Sequence, residues 1–366
     1  MNDLLYLMAL EQVLLVGPTK AKELIAHCGT AEQVFKTKKS DLIRIPNIGL
    51  IGAENILRFK DFKKAEKELK FIENNDIQVF TYLDKDYPYR LKQQSDSPLI
   101  LYKKGNADLN PKRAVAIVGT RKATVRGKMI CEELVNGLKE YDVTIVSGLA
   151  FGVDVTAHRK CLDEEIPTIG VLAHGLDRLY PSQHRSTAKK MLHQGGLVTE
   201  YRSETNPDRQ NFPSRNRIIA GMCDAVIVVE TKRTGGSIIT AKIANEYNRD
   251  VFAVPGRLED EYSTGCNWLI KIHKAALIES AADIGYIMRW EKTNEQKIGV
   301  RRNIFVDLNE DEQRIVELLR TEETVSSDKI TRQLKMSIGQ LAGLMLEMEF
   351  KGIVKPLPGS RFSLVR

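Results

Sequence analysis

Short apolar runs rich in Val, Ile and Ala alternate with stretches of helical periodicity between residues 114 and 278. This alternation is typical of a doubly wound sheet, in which helices cover both faces of parallel strands. The pattern predicts strands at 114–118, 143–146, 168–173, 197–200, 225–230, 251–255 and 276–278. Because ligands of such folds bind at the carboxyl ends of the strands, the residues after each run are the functional candidates.

The first 75 residues have the spacing of short helices and contain two turns centred on glycine. Residues 15–18 are Leu-Val-Gly-Pro, residues 45–49 are Ile-Pro-Asn-Ile-Gly, and an apolar helical stretch follows each turn. This arrangement predicts helix-hairpin-helix (SAM-like) units, in which amides at the start of the second helix can hold a DNA phosphate. An ordinary turn within a small helical bundle is the alternative.

The last 60 residues predict a winged helix. Helical periodicity at 311–319, 327–334 and 338–350 is followed by two strands, 353–355 and 361–365, around a Pro-Gly-Ser turn. Residues 303–366 carry nine basic and ten acidic side chains, and Glu347 and Glu349 lie on the third helix. This charge argues against strong DNA binding by the winged helix and favours contact with a protein.

These patterns predict an α/β protein with an extended Rossmann-like, doubly wound sheet between two smaller domains. The expected boundaries are a helical domain at 1–75, a Rossmann-like domain at 76–290, a linker at 291–302 and a winged helix at 303–366. The linker is predicted because its residues are polar and follow neither the helix nor the strand period.

Composition narrows the class of protein. Of 366 residues, 42% are hydrophobic and 28% charged, and no run reaches the roughly 18 apolar residues of a membrane-spanning helix. Without a secretory signal at the first residues, we expect a cytoplasmic protein with no membrane partner. The 55 Lys and Arg residues against 48 Asp and Glu give a mild bias toward polyanions. Five scattered cysteines without a Cys-x-x-Cys pair indicate neither disulfides nor a zinc site.

Two predicted strands end in glycine-containing turns. The first is followed by Gly119, Thr120 and Arg121, and the second by Ser147 and Gly148. Glycine lets the backbone turn closely around an anion, the amides of the following helix are unpaired, and arginine adds a bidentate charge to phosphate. The spacing matches neither a Walker A loop nor a dinucleotide-binding Gly-x-Gly-x-x-Gly. Plain turn chemistry is the alternative.

Three titratable residues near these turns are interpreted as structural. Asp154 precedes a helix and is expected to cap it, while His158 is expected to pack beside the same helix. His174 follows the third strand and has no second ligand at metal-binding spacing. No metal site is expected from them.

An aromatic residue lies among arginines after the fourth strand. Arg209, Phe212, Arg215, Asn216 and Arg217 form a pattern that suits single-stranded nucleic acid, since bases stack on the ring and guanidinium groups follow the backbone. In the alternative, Phe212 belongs to the core and Arg215 pairs with a carboxylate.

A second anion-binding turn follows the fifth strand. Gly235, Gly236 and Ser237 open the next helix, and the serine can cap it and donate to phosphate. Glu230 and Lys232 also fit the Glu-x-Lys half of a metal-dependent nuclease site, but no acidic partner is placed beside them.

The ordered series of these motifs resembles the DNA-processing protein A (DprA, or Smf) family over nearly the whole chain. The shared motifs are Tyr-Pro at 87–88, Ala-Ile-Val-Gly-Thr-Arg at 116–121, Ser-Gly-Leu-Ala at 147–150, Phe-Pro-Ser-Arg-Asn-Arg-Ile-Ile-Ala-Gly at 212–221, Gly-Gly-Ser at 235–237 and Val-Pro-Gly at 254–256. Residues 271–274, Lys-Ile-His-Lys, depart from the Gly-Ala that many members carry there.

The resemblance implies a protein that binds single-stranded DNA during natural transformation, protects it and helps load the RecA recombinase. It also implies a homodimer without catalytic residues or a cofactor. A nucleotide-binding Rossmann enzyme of the phosphoribohydrolase kind is the alternative, although such enzymes carry Pro-Gly-Gly-x-Gly-Thr where this chain has Thr-Gly-Gly-Ser-Ile at 234–238. A metal-dependent nuclease and an adaptor that binds only proteins are further alternatives.

Overall fold

A computed structural model describes residues 2–293, 308–321, 324–351 and 353–364. The chain divides into two compact units, Met1–Asn294 and Glu295–Arg366. Most of the predicted linker at 291–302 lies outside the described residues. Its first residues contact the first unit, since Arg113 donates to the Glu291 carbonyl (2.9 Å) and the Thr293 amide donates to the Glu140 carbonyl (2.6 Å).

Helices form the N-terminal part of the first unit. They are α1 (Asn2–Leu10), α2 (Pro18–Cys28), α3 (Ala31–Lys36), α4 (Lys39–Arg44), α5 (Gly49–Arg58) and α6 (Lys63–Asn74). The two glycine-centred turns of the sequence lie at the starts of α2 and α5. The apolar core of these helices also contains Leu99, Ile100 and Tyr102, which lie at the start of a sheet strand. The helices and the sheet therefore share a core.

One mixed sheet contains nine strands among the described residues. They are β1 (Gln78–Thr81), β2 (Ile100–Gly105), β3 (Ala114–Val118), β4 (Thr144–Ser147), β5 (Thr168–Val171), β6 (Gly196–Thr199), β7 (Ala225–Val228), β8 (Asp250–Ala253) and β9 (Ala276–Leu277). Their order is β1-β2-β6-β5-β4-β3-β7-β8-β9, with parallel pairing from β6 through to β9 and antiparallel pairing at β1 and β2. The order reverses at β3, between β4 and β7, which is where such sheets bind ligands.

Helices cover both faces of this sheet. They are α7 (Tyr89–Lys92), α8 (Val125–Leu138), α9 (Val153–Asp163), α10 (Arg185–Gln194), α11 (Asn211–Gly221), α12 (Gly236–Glu246), α13 (Thr264–Lys271) and α14 (Ala281–Ile287). Alternate side chains of β3 point to opposite faces, so Ala116 and Val118 pack with α11 and α12, while Val115 and Ile117 pack with α8 and α9. Burial on both faces explains the continuous apolar runs.

The second unit contains the winged helix. Its elements are α15 (Glu310–Thr321), β10 (Val325–Ser326), α16 (Ser327–Leu334), α17 (Ile338–Phe350), β11 (Val354–Leu357) and β12 (Arg361–Leu364), and its strands are ordered β10-β12-β11. Ile315, Ile330 and Met345 are among the residues of its own apolar core.

The structure confirms the predicted fold class. The seven predicted parallel strands and the three helices of the winged helix are present within a few residues of their expected bounds. Sequence reasoning missed β1, β2 and the two-residue strand β10. No helix among the described residues is both long and apolar enough to cross a membrane.

Candidate nucleic-acid interface

A cleft of about 670 Å³ lies at the carboxyl ends of β3 and β7, beside the topological switch point. Ten of the thirteen predicted site residues line it: Gly119, Thr120, Arg121, Arg209, Phe212, Arg215, Asn216, Gly235, Gly236 and Ser237. The other three, Ser147, Gly148 and Arg217, do not line it. The fold thus brings two glycine turns and one arginine-rich helix start, far apart in the sequence, to one place.

In the turn after β3, the backbone passes very close to helix α9. A Cβ on Gly119 would lie 2.8 Å from Cβ of Val153, so only glycine lets β3 end against α9. The Thr120 amide donates to the Glu230 carbonyl at 2.7 Å, and the Thr120 carbonyl accepts from the Val153 amide at 3.2 Å. These bonds fix the turn and leave the Arg121 side chain exposed at the rim of the cleft.

The second turn leaves donors without partners. Helix α12 begins at Gly236, and its N-cap, Gly235, has no side chain to cap the first amides. Ser237 in the first turn is buried, and its hydroxyl has no hydrogen-bond partner within the described residues. Lys232 lies on the adjacent rim, where its ammonium pairs with the exposed Glu261. An anion at this helix start would find free amides, a hydroxyl and a positive charge.

The first turn of α11 supplies the aromatic wall. The Phe212 ring is half-buried and meets the Tyr180 ring edge to face, with centroids 6.0 Å apart. The Arg121 guanidinium lies 5.1 Å from the Phe212 centroid. Arg209 precedes the helix and is exposed, and Asn216 is held toward the Gly236 carbonyl at 3.5 Å. The arrangement combines an accessible aromatic surface with exposed guanidinium groups.

Arg215 forms the floor of the cleft and is buried. Its guanidinium donates to the Val171 carbonyl at the end of β5 and faces the buried Asp154 carboxylate. Burial raises the pKa of Asp154 to about 6 against the opposing charge of Arg215, and burial lowers the pKa of Arg215 to about 10. A Cβ on Gly148 would collide with the Asp154 carboxylate and lie 2.8 Å from Nη2 of Arg215. Arg215 and Gly148 therefore have structural partners, as in the alternative interpretation of Arg215.

The remaining two predicted residues also have structural partners. Ser147 is fully buried, and its hydroxyl donates to the Ile117 carbonyl at 2.6 Å. Arg217 forms an ion pair with Glu200, in which both side chains are largely buried. Neither side chain is available at the surface of the cleft.

Glu230, the carboxylate of the nuclease alternative, also has hydrogen-bond partners within the fold. The Glu230 carboxylate accepts from the Thr124 amide at 2.9 Å and from its hydroxyl at 2.6 Å. It therefore sits at the N-terminus of α8, where a carboxylate is stabilised by the helix dipole. Across the described residues no group of three or more His, Cys, Asp or Glu side chains could hold a metal ion.

The histidines behind the cleft are bonded to neighbouring groups. His158 is fully buried, with Nε2 donating to the Gly148 carbonyl at 2.6 Å and Nδ1 bonded to the Thr168 hydroxyl at 2.7 Å. Burial lowers the pKa of His158 from 6.5 to about 4, so the ring is neutral at pH 7. The His174 ring accepts from the Tyr180 amide at 3.1 Å. Both residues hold backbone in place.

Sequence reasoning missed several residues that line the cleft, among them Lys122, Tyr180 and Tyr262. Tyr262 could have been found by following the sixth predicted strand past its carboxyl end. Lys232 was singled out for nuclease chemistry, whereas the structure places it beside the second anion-binding turn. The lining of this cleft carries an excess of positive charge from Arg121, Lys122 and Arg209, while Arg215 faces Asp154 and Lys232 pairs with Glu261.

The fold and this cleft define a class: a Rossmann-like protein whose switch-point crevice presents open amides, positive charge and an aromatic ring. The family model for DNA recombination-mediator protein A matches residues 78–289, and the model for the DprA winged helix domain matches residues 306–360. The chain belongs to the DprA family.

Similar proteins extend over most of the chain. Protein Smf of Synechocystis is 33% identical, and the alignment covers 98% of each chain. The solved structure of DprA from Streptococcus pneumoniae superposes with a TM-score of 0.66 at 32% identity, covering 78% of this chain and 98% of the other. A structure that describes the single-stranded DNA binding mode of DprA from Helicobacter pylori matches with a TM-score of 0.53 at 28% identity, covering 58% and 98%.

The neutral His158 predicts a pH-dependent stability. Its pKa in the folded protein lies below the unfolded value of 6.5, so its contribution is complete above pH 6.5 and is lost as the pH falls to about 4. Over that window the loss amounts to roughly 3 kcal/mol. We expect the difference in unfolding free energy between wild type and His158→Gln to shrink by this amount in urea titrations.

Asp154 titrates in the same range but does so in both proteins, so the difference isolates His158. The control variant is His193→Gln, which removes an exposed histidine instead of the buried one. A difference between wild type and His158→Gln that stays constant from pH 6.5 to 4 would contradict a buried neutral ring.

Proposed function

We propose that this protein binds single-stranded DNA along the strand-end cleft. The proposal rests chiefly on the start of α12, beside Lys232, where the buried Ser237 hydroxyl has no hydrogen-bond partner among the described residues and no side chain caps the helix. Membership of the DprA family and the DNA binding described for the Helicobacter pylori relative support it.

Each part of the cleft has a role in this proposal. One phosphate occupies the start of α12, where it replaces Glu261 as the partner of Lys232. A second phosphate meets the exposed Arg121, and Arg209 follows the backbone beyond it. A base stacks on the accessible part of the Phe212 ring. Because these contacts use phosphates and base faces, the sequence preference is weak and the affinity falls with salt.

The proposed activity is binding without turnover. Glu230 is engaged by Thr124 and Lys232 by Glu261, so the Glu-x-Lys pair has a structural explanation. We propose no cofactor and no catalytic residue.

The wider role follows from the family. We propose that the protein acts in natural transformation, where it protects incoming single strands and helps load the RecA recombinase, and that it does so in the cytoplasm. A homodimer is part of the same proposal. It is supported by β9, which is the last strand of the sheet in the part of the chain that the structure describes and whose Ala276 and Leu277 are both exposed, because an open strand edge favours pairing with a second chain.

A direct binding experiment tests the proposed function. Filter binding at one salt concentration should show tight retention of a single-stranded oligonucleotide, weaker retention of its duplex and little competition by mononucleotides. This order is expected because a duplex hides its base faces and a mononucleotide offers one phosphate. Equal affinity for single strand and duplex contradicts the proposal, and competition by mononucleotides at equal concentration favours the nucleotide-enzyme alternative.

Arg121→Ala should weaken binding to single-stranded DNA without altering stability. The lost charge-assisted bond corresponds to about 1.5 to 3 kcal/mol, or roughly tenfold to a hundredfold in Kd. Fluorescence anisotropy measures the affinity and thermal melting the stability. The matched control is Arg126→Ala, another exposed arginine at the start of α8 that does not line this cleft. Equal losses in the two variants would show that only overall charge matters.

Phe212→Ala should lower the affinity by about 1 to 3 kcal/mol if the ring stacks on a base. Because the ring is half-buried beside Tyr180, we expect a small change in melting temperature. Phe212→Trp should retain much of the affinity. A large fall in melting temperature with unchanged affinity in the folded fraction would instead assign Phe212 to the core.

A further inference from the structure

Helix α17, the third helix of the winged helix, has two different faces. One face enters the core of the unit through Leu341, Met345 and Met348. The opposite face carries a row at spacings of four, three and four residues, which places all its members on one side of the helix. The row consists of Gly339, Gly343, Leu346 and Phe350.

The two glycines of this row have no explanation within the unit. Glycine inside a helix lowers its stability by about 1 kcal/mol relative to alanine. Neither glycine has a positive φ, and a Cβ at Gly339 or Gly343 would meet no atom within 4 Å. No turn and no close contact among the described residues therefore requires them. Small residues at such positions allow the backbone of another helix to approach closely.

The other half of the row consists of large apolar side chains in solvent. Leu346 is 55% exposed and Phe350 is 84% exposed. One end of the outward face is therefore a shallow notch, and the other end is a pair of apolar projections. A surface with a notch and a projection along one line is complementary to a second copy of itself turned end to end.

The charges on α17 also differ between its two ends. The helix contains no Lys or Arg, and Glu347 and Glu349 lie near its carboxyl end. At the other end, a capping box of Ser337 and Gln340 begins the helix, and the exposed Lys335 precedes it. The amino end of a helix is its positive end. The acidic carboxyl end of α17 in one copy is thus complementary to the amino end of α17 in another. Because its charged side chains are acidic, α17 is unsuited to binding DNA phosphates.

We propose that α17 pairs with α17 of a second copy of this chain in an antiparallel arrangement about a two-fold axis near Ala342 and Gly343. Leu346 of each copy then lies over Gly339 of the other, and Phe350 reaches the segment around Lys335. The same arrangement brings Glu347 to the positive end of the opposite helix. A parallel pair would place glycine against glycine and Glu347 against Glu347. Neither the shapes nor the charges of the two helices would then be complementary.

Filling the notch tests the pairing. In the full-length protein, Gly343→Leu should raise the dissociation constant of this contact about tenfold to a hundredfold, because an added side chain separates closely packed helices. The same change should raise the melting temperature of the winged helix, since leucine favours helix more than glycine. A merely structural glycine would not give these two opposite effects. Gln333→Leu, which adds the same side chain on the exposed face of α16, is the control.

Sedimentation velocity over a range of concentrations gives the readout. Wild type and Gln333→Leu should form species larger than those of Gly343→Leu. This difference is expected whether or not the protein also forms a dimer through the edge of the sheet. Identical mass distributions for all three folded proteins would overturn the proposal. DNA affinity is measured on the same samples, and we expect it to be unchanged, so this result is separate from the test of the strand-end cleft.

The orientation is tested by disulfide formation between two variants. About this axis, residue 340 of one copy lies on the same flank of the pair as residue 347 of the other, offset by about 3 Å along the helix direction. A mixture of Gln340→Cys and Glu347→Cys should therefore give a covalent heterodimer under mild oxidation, while each variant alone gives little. The native cysteines are largely buried, and wild type sets the background. Preferential formation of either homodimer would overturn the antiparallel arrangement.

Discussion

The strand-end cleft depends on a buried pair of opposite charges, the Arg215 guanidinium and the Asp154 carboxylate. A guanidinium without a partner at this depth would be strongly destabilising, so the two groups require each other. Their packing leaves no room for a side chain on Gly148, and it anchors α11 to the end of β5 through the Val171 carbonyl. Because α11 is anchored there, its first turn presents Phe212 to the cleft. The position of this wall of the cleft is thus set by residues buried behind it.

Positive charge in this protein therefore has two uses. Arg215 and Arg217 have partners inside the fold, where their charge is largely neutralised by Asp154 and Glu200. Arg121 and Arg209 are exposed at the cleft, and their charge is available to an incoming anion. A net charge counts both kinds equally, which is why the modest excess of basic residues gives little indication of where a polyanion would bind.

Much of the fold could be predicted because the parallel strands are buried on both faces and appear as continuous apolar runs. The strands β1 and β2 were missed because they form an antiparallel edge and lack that signal. Ten of the thirteen predicted site residues line the cleft, because the rule that ligands meet the carboxyl ends of strands selected them. The rule could not show that Arg217 is held in an ion pair while Arg209 is not. The partner of Arg217 is Glu200, which is close in space but cannot be identified from the spacing of residues along the chain. The lack of a partner for the Ser237 hydroxyl among the described residues likewise emerged only from the packing.

The shared core between the N-terminal helices and β2 bears on how this protein could be shortened. Leu99, Ile100 and Tyr102 are covered by the helices, so a chain trimmed to begin after α6 would present these side chains to water beside the sheet edge. Such a fragment would be prone to aggregation, because exposed apolar strands pair with other chains. The helices thus serve as a solubilising cover for the sheet, and a shortened relative would need polar residues at these three positions.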